Sequence, residues 1–236
     1  MNSETDPWAT GEGAGEEPVI WKPRTKLGLQ VRTGQITSIH DVIRSQQPIK
    51  EVEIVDKLLP TTSEEILDVG RVQRVTDSGR RLKFRIVTAI GNGDGYVGVG
   101  TSKGKEAGPT IRSSIERAKL ALIEVKRGCG SWECMCGGHH SVPFTVEGKA
   151  GSVTVILKPA PKGTGIVSGE IARKIIALSG IKDVYVQTSG HTRTSINFAF
   201  AVYDALKNTN NPKTLSDQEK KLGVVVGEVK PVVPTE

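Results

Sequence analysis

Three cysteines and two histidines fall within the segment "CGSWECMCGGHH", as Cys129, Cys134, Cys136, His139 and His140. Three thiolates and one imidazole make a soft, tetrahedral donor set of the kind that binds zinc. The segment is rich in glycine and poor in apolar residues, so a bound metal would give it a means of becoming ordered. Free thiols in a reducing compartment, or a nucleophilic cysteine, are the alternatives. We predict one structural zinc ion, and the spacing leaves open which histidine is the fourth ligand.

A glycine-rich stretch, "IGNGDGYVGVGTSKGKE", is a candidate phosphate-binding site, because glycine-rich turns before helices can hold phosphate. Gly93, Gly95 and Gly98 have the spacing of a dinucleotide-binding fingerprint. That fingerprint needs a helix to begin at its third glycine, whereas Gly98 lies in an apolar segment with strand character. Glu106 stands where a Walker loop needs a magnesium-binding hydroxyl. We predict no nucleotide site, and expect Gly91, Gly93 and Gly95 to form a tight connection with positive φ.

Cationic side chains form the third candidate site, and they fall into two groups. One group lies on and beside a predicted hairpin: Arg71, Arg74, Arg80, Arg81, Lys83 and Arg85. The other surrounds the predicted start of a helix, where free N–H groups favour anions: Lys103, Lys105 and Arg112. Two separate cationic groups on one small domain match the spaced phosphates of double-stranded RNA. Solvated surface charge is the alternative for any one of these residues.

The second half of the chain offers two further candidate anion sites. Lys162, Gly163, Thr164 and Gly165 form a glycine-rich loop that precedes a predicted helix. His191 and Arg193 stand at the opening of another predicted helix, where His191 is equally compatible with an ordinary surface histidine. No Ser-His-Asp arrangement and no paired carboxylates have a recognisable spacing, so the sequence does not support a hydrolytic enzyme.

Alternating polarity places the first cationic group on a β-hairpin. Residues 67–90 predict two strands joined at the turn sequence "TDSG". On the second strand Leu82, Phe84 and Ile86 alternate with Lys83 and Arg85, which predicts one apolar face and one basic face.

The remaining apolar patterns define two consecutive α+β units. A third strand, "GYVGVG", precedes a helix whose predicted buried stripe is Ile111, Ile115, Ala118 and Leu122, so the first unit has the order β-β-β-α. The second unit has the order β-β-α-β-α. Val153, Val155 and Leu157 face its core, and Gly180 caps its first helix. The second helix is predicted to bury Ile196, Phe200, Tyr203 and Leu206.

Composition narrows the class of partner. The chain has 236 residues, a net charge of +6 and 4% aromatic residues. Residues 69–128 carry thirteen Lys or Arg against five Asp or Glu, whereas residues 1–20 carry five acids and no Lys or Arg. Concentrated positive charge favours a polyanion, and the few aromatics disfavour stacking of unpaired bases. No apolar run approaches the ~18 residues of a membrane span, and the first twenty residues lack the basic start and apolar stretch of a signal peptide, so we expect a cytosolic protein.

These observations predict an α+β protein with two folded domains between extensions. The predicted segments are a disordered acidic tail (1–25), a helical extension (26–66) with short helices at 36–46 and 49–59, a first folded domain of order β-β-β-α (67–128), a Cys/His-rich linker (129–143), a second folded domain of order β-β-α-β-α (144–211) and an extended C-terminal tail (212–236).

Two long stretches resemble a known family. "GRVQRVTDSGRRLKFRIVTAIGNGDGYVGVGTSKGKEAGPTIRSSIERAK" and "KPAPKGTGIVSGEIARKIIALSGIKDVYVQTSGHTRTSINFAFAVYDAL" are similar to the universal small-subunit ribosomal protein S5 family, and "HSVPF" resembles its archaeal branch. The resemblance spans about residues 65–210. It implies a double-stranded-RNA-binding-like first domain (67–128) and a second α/β two-layer sandwich domain (144–211). It also implies a non-enzymatic structural protein that binds folded ribosomal RNA near the mRNA entrance, contacts proteins S3 and S4, and supports decoding accuracy.

The resemblance also assigns roles to particular residues. It matches the loop from Arg74 to Arg81 to an RNA-contacting hairpin, and residues 162–165 to the glycine-rich loop of the second domain. Because "HSVPF" belongs to the family pattern, His140 is preferred to His139 as a zinc ligand. A stand-alone regulator that binds double-stranded RNA is the alternative function.

Overall fold

The computed structural model of the protein describes residues 21–134 and 136–228. Its first half contains helices α1 (Lys26–Arg32), α2 (Ile39–Arg44), α3 (Val52–Leu58) and α4 (Ala107–Leu120), and strands β1 (Ser63–Thr76), β2 (Gly79–Gly91), β3 (Tyr96–Gly104), β4 (Leu122–Glu124) and β5 (Lys126–Arg127). Its second half contains strands β6 (Val146–Ala150), β7 (Val153–Pro159), β8 (Ile166–Val167), β9 (Val184–Ser189) and β10 (Val225–Val226), and helices α5 (Glu170–Leu178), α6 (Ser195–Asn208) and α7 (Ser216–Leu222).

The first sheet is antiparallel, with the strand order β1-β2-β3-β4. The predicted hairpin is confirmed: Thr76 pairs with Gly79, and Gly79, which follows the turn residues Asp77 and Ser78, takes a positive φ of +110° that glycine adopts readily. Strand β4 was not predicted, and it adds a fourth strand beside β3. Strand β1 begins at Ser63, upstream of the predicted domain start at residue 67.

Helix α4 covers one face of this sheet, but of the predicted stripe only Ala118 is buried within the helix. Its buried residues are Thr110, Ser114 and Ala118, whereas Ile111 and Ile115 are half-buried and Leu122 lies on β4. The cause is a very close approach to β3: a Cβ atom on Gly100 would lie 2.4 Å from the carbonyl oxygen of Ser114. Only small helix residues fit against a glycine at that distance.

The other face of the first sheet packs on helices α5 and α6, so the two domains share one apolar core. Val87 and Val99 from the first sheet belong to the same buried cluster as Ile175 of α5 and Val202 of α6. The second sheet lies beyond these helices, with the strand order β6-β7-β9-β8 and β8 parallel to β9. The layers are therefore helix, sheet, helices, sheet.

The second domain follows the predicted order with one short addition, strand β8. Val153, Val155 and Leu157 are fully buried, and Gly180 follows α5 with a φ of +80°, as predicted. The predicted buried face of α6 is corrected: Leu206 is buried, but Ile196, Phe200 and Tyr203 are half-buried. They pack at the edge of the core because small residues form its centre. The buried residues of α6 are Phe198, Ala199, Ala201, Val202, Ala205 and Leu206.

The N-terminal extension is helical and packs on the first domain around Tyr96 and Leu122. Its first helix, α1, begins at Lys26, the predicted start of the extension, and the residues before it are held by Glu51, whose carboxylate accepts hydrogen bonds from Trp21 Nε1 at 3.0 Å and from the backbone N–H of Thr25 at 2.6 Å. The predicted disorder of residues 1–25 therefore does not extend to residues 21–25. The acidic residues 1–20 lie outside the described residues.

The C-terminal segment contains a helix and a strand, whereas the sequence predicts an extended tail. It forms α7, and strand β10 then pairs with β5, with Val225 opposite Arg127. The backbone N–H of Cys129 also donates to the carbonyl oxygen of Leu222 at 2.8 Å. These pairings cannot be inferred from local pattern, because they join residues about a hundred positions apart. Residues 229–236 lie outside the described residues.

Candidate nucleic-acid interface and metal centre

The register of the first sheet collects five cations on one face. Arg81 lies opposite Arg74, and Arg85 lies opposite Lys103 on the other neighbouring strand. Directly opposed residues share a face, and so do residues two apart on one strand. The face shared by these residues, which we call the basic face, is Arg74, Arg81, Lys83, Arg85 and Lys103.

The basic face extends onto a ribbon that projects from the domain. Strand β3 pairs with β2 only from Phe84 to Gly91, so the outer part of the β1–β2 hairpin has no third strand beside it. Arg74, Arg81 and Lys83 are exposed there. A two-stranded ribbon with unpaired cations on one face can follow the phosphates of a nucleic acid.

Three of the residues predicted to contact RNA are not exposed on the basic face of the ribbon. Arg71 and Arg80 are exposed but lie on the opposite face of the ribbon, because Arg71 pairs with Phe84 and Arg80 pairs with Val75. Arg85 is half-buried, and its Nε has no hydrogen-bond partner among the described residues. Contact of these three side chains with RNA remains a prediction.

The second cationic group lies at the start of α4, where Lys103 and Lys105 line a shallow pocket of about 360 Å³. Glu106 lines the same pocket as the N-cap residue, and its side chain makes no capping bond. That carboxylate offsets part of the positive charge. Arg112 is exposed one turn further along the helix and does not line the pocket.

The loop at residues 162–165 uses its backbone donors inside the protein. The N–H groups of Gly163 and Gly165 donate to Oδ1 of Asp183 at 3.0 and 2.8 Å. The loop leads into β8 rather than directly into a helix, which corrects the predicted context. The carboxylate of Asp183 thus takes the place expected for a phosphate, and Lys162 is left as the exposed cation of the loop.

His191 and Arg193 lie in the loop before α6, and both side chains are exposed. The backbone N–H of Thr194, the N-cap residue, donates to the carbonyl oxygen of His191 at 3.2 Å. Ser195 at the start of the helix donates to Asp68 of β1 at 2.8 Å, which ties this loop to the first domain. The two side chains are available to a partner, and RNA contact is a prediction.

The glycine-rich connection at 91–95 faces α5 of the second domain. Gly93 and Gly95 have the predicted positive φ values, +69° and +93°. Gly91 does not, which corrects the prediction: it ends β2, and a Cβ atom there would lie 2.3 Å from the carbonyl oxygen of Leu178. Close approach of a backbone, not a left-handed conformation, explains this glycine.

The predicted metal ligands converge. The ligand atoms of Cys129, Cys134, Cys136 and His140 all lie within 4.8 Å of one another. For Zn–S distances of about 2.3 Å and Zn–N distances of about 2.0–2.1 Å, the edges of the tetrahedron are about 3.5–3.8 Å, so a small contraction completes the site. The donor set and its partly buried position fit a closed, structural zinc site.

Hydrogen bonds prepare two of these ligands. The backbone N–H of Lys162 is the main cause that lowers the pKa of the Cys134 thiol to about 7, with a second contribution from the neighbouring Cys136. Nε2 of His140 lies 3.9 Å from the Cys134 sulfur, while Nδ1 lies 2.8 Å from Oδ2 of Asp183. A carboxylate behind a metal-binding imidazole fixes the tautomer that leaves Nε2 free to coordinate.

Asp183 is the residue that the sequence analysis missed. It stands 43 residues from His140, and its side chain is 6% exposed. The available signal was an acidic residue immediately before a buried strand, in "IKDVYV", but nothing local indicates that it faces the cysteines. His139 is exposed, and the four-residue cluster does not include it.

The projecting basic ribbon and the second cationic group on a two-domain α+β fold are typical of a polyanion-binding protein of the nucleic-acid-binding class. No helix of the described residues is long and apolar enough to span a membrane.

Comparison with known proteins then gives the family. Residues 62–126 match the profile "Ribosomal protein S5, N-terminal domain", and residues 148–219 match "Ribosomal protein S5, C-terminal domain". The chain belongs to the ribosomal protein S5 family, as the resemblance predicted, and this family is structural and non-enzymatic.

Similar curated proteins are archaeal. The protein named small ribosomal subunit protein uS5 of Methanocaldococcus jannaschii is 51% identical over 209 residues, which is 89% of this chain and 96% of the relative. The protein of the same name from Methanococcoides burtonii is 54% identical over 189 residues, covering 80% of this chain and 90% of the relative. The predicted archaeal type agrees with these matches.

Proposed function

We propose that this protein is a structural constituent of the small ribosomal subunit that binds folded ribosomal RNA through the basic face of its first domain. The observation that carries the proposal is the alignment of Arg74, Arg81 and Lys83 on one exposed face of a projecting ribbon. Spaced cations on a rigid ribbon suit the phosphates of double-stranded RNA, whose grooves are recognised largely by shape. The names of the archaeal relatives support the same role.

Further RNA contacts are proposed for the other exposed cations that the sequence singled out. Arg71 and Arg80 extend the contact to the opposite face of the ribbon, and Lys105 and Arg112 form a second point of contact at α4. Lys162, His191 and Arg193 would let the second domain touch the same RNA. Lys103 and Arg85 connect the ribbon to the domain, since they face each other across β3 and β2.

The place within the subunit is proposed from the family. Proteins S3 and S4 are the expected protein neighbours, near the mRNA entrance, where the protein would support translation and its accuracy in the cytoplasm. The exposed apolar residues of the ribbon suit contact with more than RNA alone: Val75 is 70% exposed and Leu82 is 57% exposed.

We also propose that Cys129, Cys134, Cys136 and His140 hold one zinc ion. Three soft thiolates and an imidazole oriented by a carboxylate fill all four positions of a tetrahedral site, so the role of the metal is structural. The ion would order the insert between the domains, because the described part of the insert contains few apolar side chains.

Retention on ribosomal subunits tests the main proposal. Subunits assembled with the parent chain should keep the protein through a wash in high salt. A variant with Arg81→Ala and Lys83→Ala should be washed off at lower salt, because it lacks two phosphate contacts. Lys149→Ala with Lys158→Ala removes two exposed charges from the second domain and should behave as the parent. A parent chain that leaves the subunits in high salt would instead indicate a stand-alone RNA-binding protein.

A further inference from the structure

The metal centre and the loop at residues 162–165 share one buried carboxylate. Oδ2 of Asp183 lies 2.8 Å from Nδ1 of His140, and Oδ1 accepts from the N–H groups of Gly163 and Gly165. The side chain is 6% exposed, so its negative charge depends on these partners. Each oxygen therefore serves a different structure: one the imidazole, the other the loop.

The Asp183 carboxylate places the proton of a neutral His140 imidazole on Nδ1, because an ionised carboxylate can only accept, and a metal ion at Nε2 requires the same tautomer. Among the described residues, the hydrogen-bond partner of Nε2 is the Cys134 sulfur at 3.9 Å, a weak contact that a metal ion would replace with a coordinate bond. Occupation of the site thus fixes the imidazole ring and so orients the bond between His140 and Asp183.

The loop is tied to the cluster at a second point. Lys162 and Gly163 line the same cleft as Cys136 and His140, and the backbone N–H of Lys162 is the main cause that lowers the pKa of the Cys134 thiol. The backbone N–H groups of Lys182 and Asp183 also donate to the carbonyl oxygen of His140, at 2.9 and 3.0 Å. Lys162 at the start of the loop is therefore held near Cys134. Asp183, which holds Gly163 and Gly165, is held by His140.

The other hydrogen bonds of the loop are local or run to β9: the N–H and the hydroxyl of Thr164 donate to the carbonyl oxygen of Pro161, and the N–H of Val184 donates to the carbonyl oxygen of Gly165. Gly163 and Gly165 have φ values of +93° and +75°, and a Cβ atom on either would meet no atom within 4 Å. Lys162 is exposed at the rim of a cleft of about 640 Å³ between the domains, which Lys182 and His139 also line. The position of the Lys162 ammonium therefore depends on the bonds described above.

We propose that Asp183 is a positioning residue that couples the metal centre to this loop, so that zinc occupancy sets how well Lys162 binds RNA. The inference rests on the proposed zinc site and on the proposed RNA contact of Lys162, and it adds the dependence of one on the other. Zinc then has two effects: it orders the insert between the domains, and it holds a cationic loop in the geometry that meets a phosphate.

Amide hydrogen exchange tests the coupling in the full chain. The N–H groups of Gly163 and Gly165 should exchange slowly in the zinc-loaded protein and faster after chelation, whereas the amide of Val155 within the second sheet should change little. Asp183→Asn should lower zinc affinity about 10- to 100-fold, because an amide cannot both accept from the imidazole and serve the loop. Asp204→Asn, which alters an exposed carboxylate bonded to the N–H of Lys149, should leave zinc affinity unchanged.

Binding to small-subunit ribosomal RNA tests the consequence. Chelation should reduce the slope of log K against log salt by about 0.7–0.9, as Lys162→Ala should, and chelation of the Lys162→Ala variant should have no further effect. If chelation unfolds the domain, the zinc-saturated Asp183→Asn variant is measured instead of the chelated protein. The slope of log K against log salt should then fall while the variant remains folded. Absence of bound zinc would overturn the metal site and the coupling together. Zinc and RNA binding with unchanged loop exchange and an unchanged slope would overturn the coupling alone.

Discussion

The backbone N–H of Gly93 donates to the carbonyl oxygen of Leu178 at 3.0 Å, and this bond joins the two domains. Gly95 donates in the same way to Ser179, also at 3.0 Å. The last carbonyl groups of a helix lack partners within the helix, and here the glycine-rich connection of the first domain supplies two of them. A stretch whose composition suggested phosphate binding is instead a cap for helix α5.

The two kinds of glycine in this connection should respond differently to alanine. Gly93→Ala meets no atom within 4 Å and only strains a φ of +69°, which costs about 1–2 kcal/mol. Gly91→Ala pushes a methyl group to 2.3 Å from the carbonyl oxygen of Leu178, so the domains must move apart. We expect a larger loss of unfolding free energy for Gly91→Ala in urea denaturation. An equal or smaller loss would contradict the close approach.

The purified protein should not bind ATP, GTP or NAD at millimolar concentration. The N–H groups of Gly93 and Gly95 that a phosphate would need are already donated to α5. Isothermal titration calorimetry checks this expectation, with a known nucleotide-binding protein as a positive control. A measurable heat of specific binding would refute the capping role.

Arg80 and Arg81 should each contribute to RNA binding, although they lie on opposite faces of the ribbon tip. Replacing either with alanine should lower affinity for small-subunit ribosomal RNA and reduce the slope of log K against log salt by about 0.7–0.9. Lys149→Ala is the matched control on the second domain. Unchanged slopes for both arginine variants would remove the tip from the RNA interface.

Metal content should distinguish the two adjacent histidines. His140→Ala removes the imidazole that faces the Cys134 sulfur, so protein purified without a histidine tag under reducing conditions should contain far less than one equivalent of zinc. His139→Ala should keep the zinc of the parent chain, because its side chain is exposed and outside the cluster. Less than about a tenth of an equivalent in the parent chain would rule out the site.

Tyr203 should make stability sensitive to alkaline pH. Burial, assisted by the neighbouring Asp204 carboxylate, raises the pKa of Tyr203 to about 12, and its hydroxyl donates to the carbonyl oxygen of Ala121 at 2.8 Å. The unfolded phenol has a pKa of about 10, so the contribution is complete below that pH and is lost as the pH rises through about 12.

The comparison with Tyr203→Phe isolates this effect. At neutral pH the variant should lose about 0.5–1.5 kcal/mol for the missing hydrogen bond. Above pH 10 the difference in unfolding free energy between parent and variant should shrink, because phenylalanine does not ionise. A difference that is constant from pH 7 to 12 would contradict the raised pKa.

The sequence determined the features that depend on near neighbours. The turn at Asp77 and Ser78, the alternation that puts Lys83 and Arg85 on one face of β2, and the end of α5 before Gly180 all follow from local backbone and side-chain preferences. The cysteine and histidine donors could also be named, since their chemistry and short spacing limit what they can bind.

Tertiary structure decided which distant groups meet. Helical periodicity in α4 indicated a buried stripe, but the glycines of β3 drew Ser114 and Ala118 inward instead of the isoleucines. A glycine-rich loop offers N–H groups whatever their acceptor is, and only the packing of β9 beside it supplied Asp183 in place of a phosphate. Local sequence encodes amphipathicity and allowed backbone angles. The partner of an exposed N–H group or a buried carboxylate is fixed only when remote segments dock.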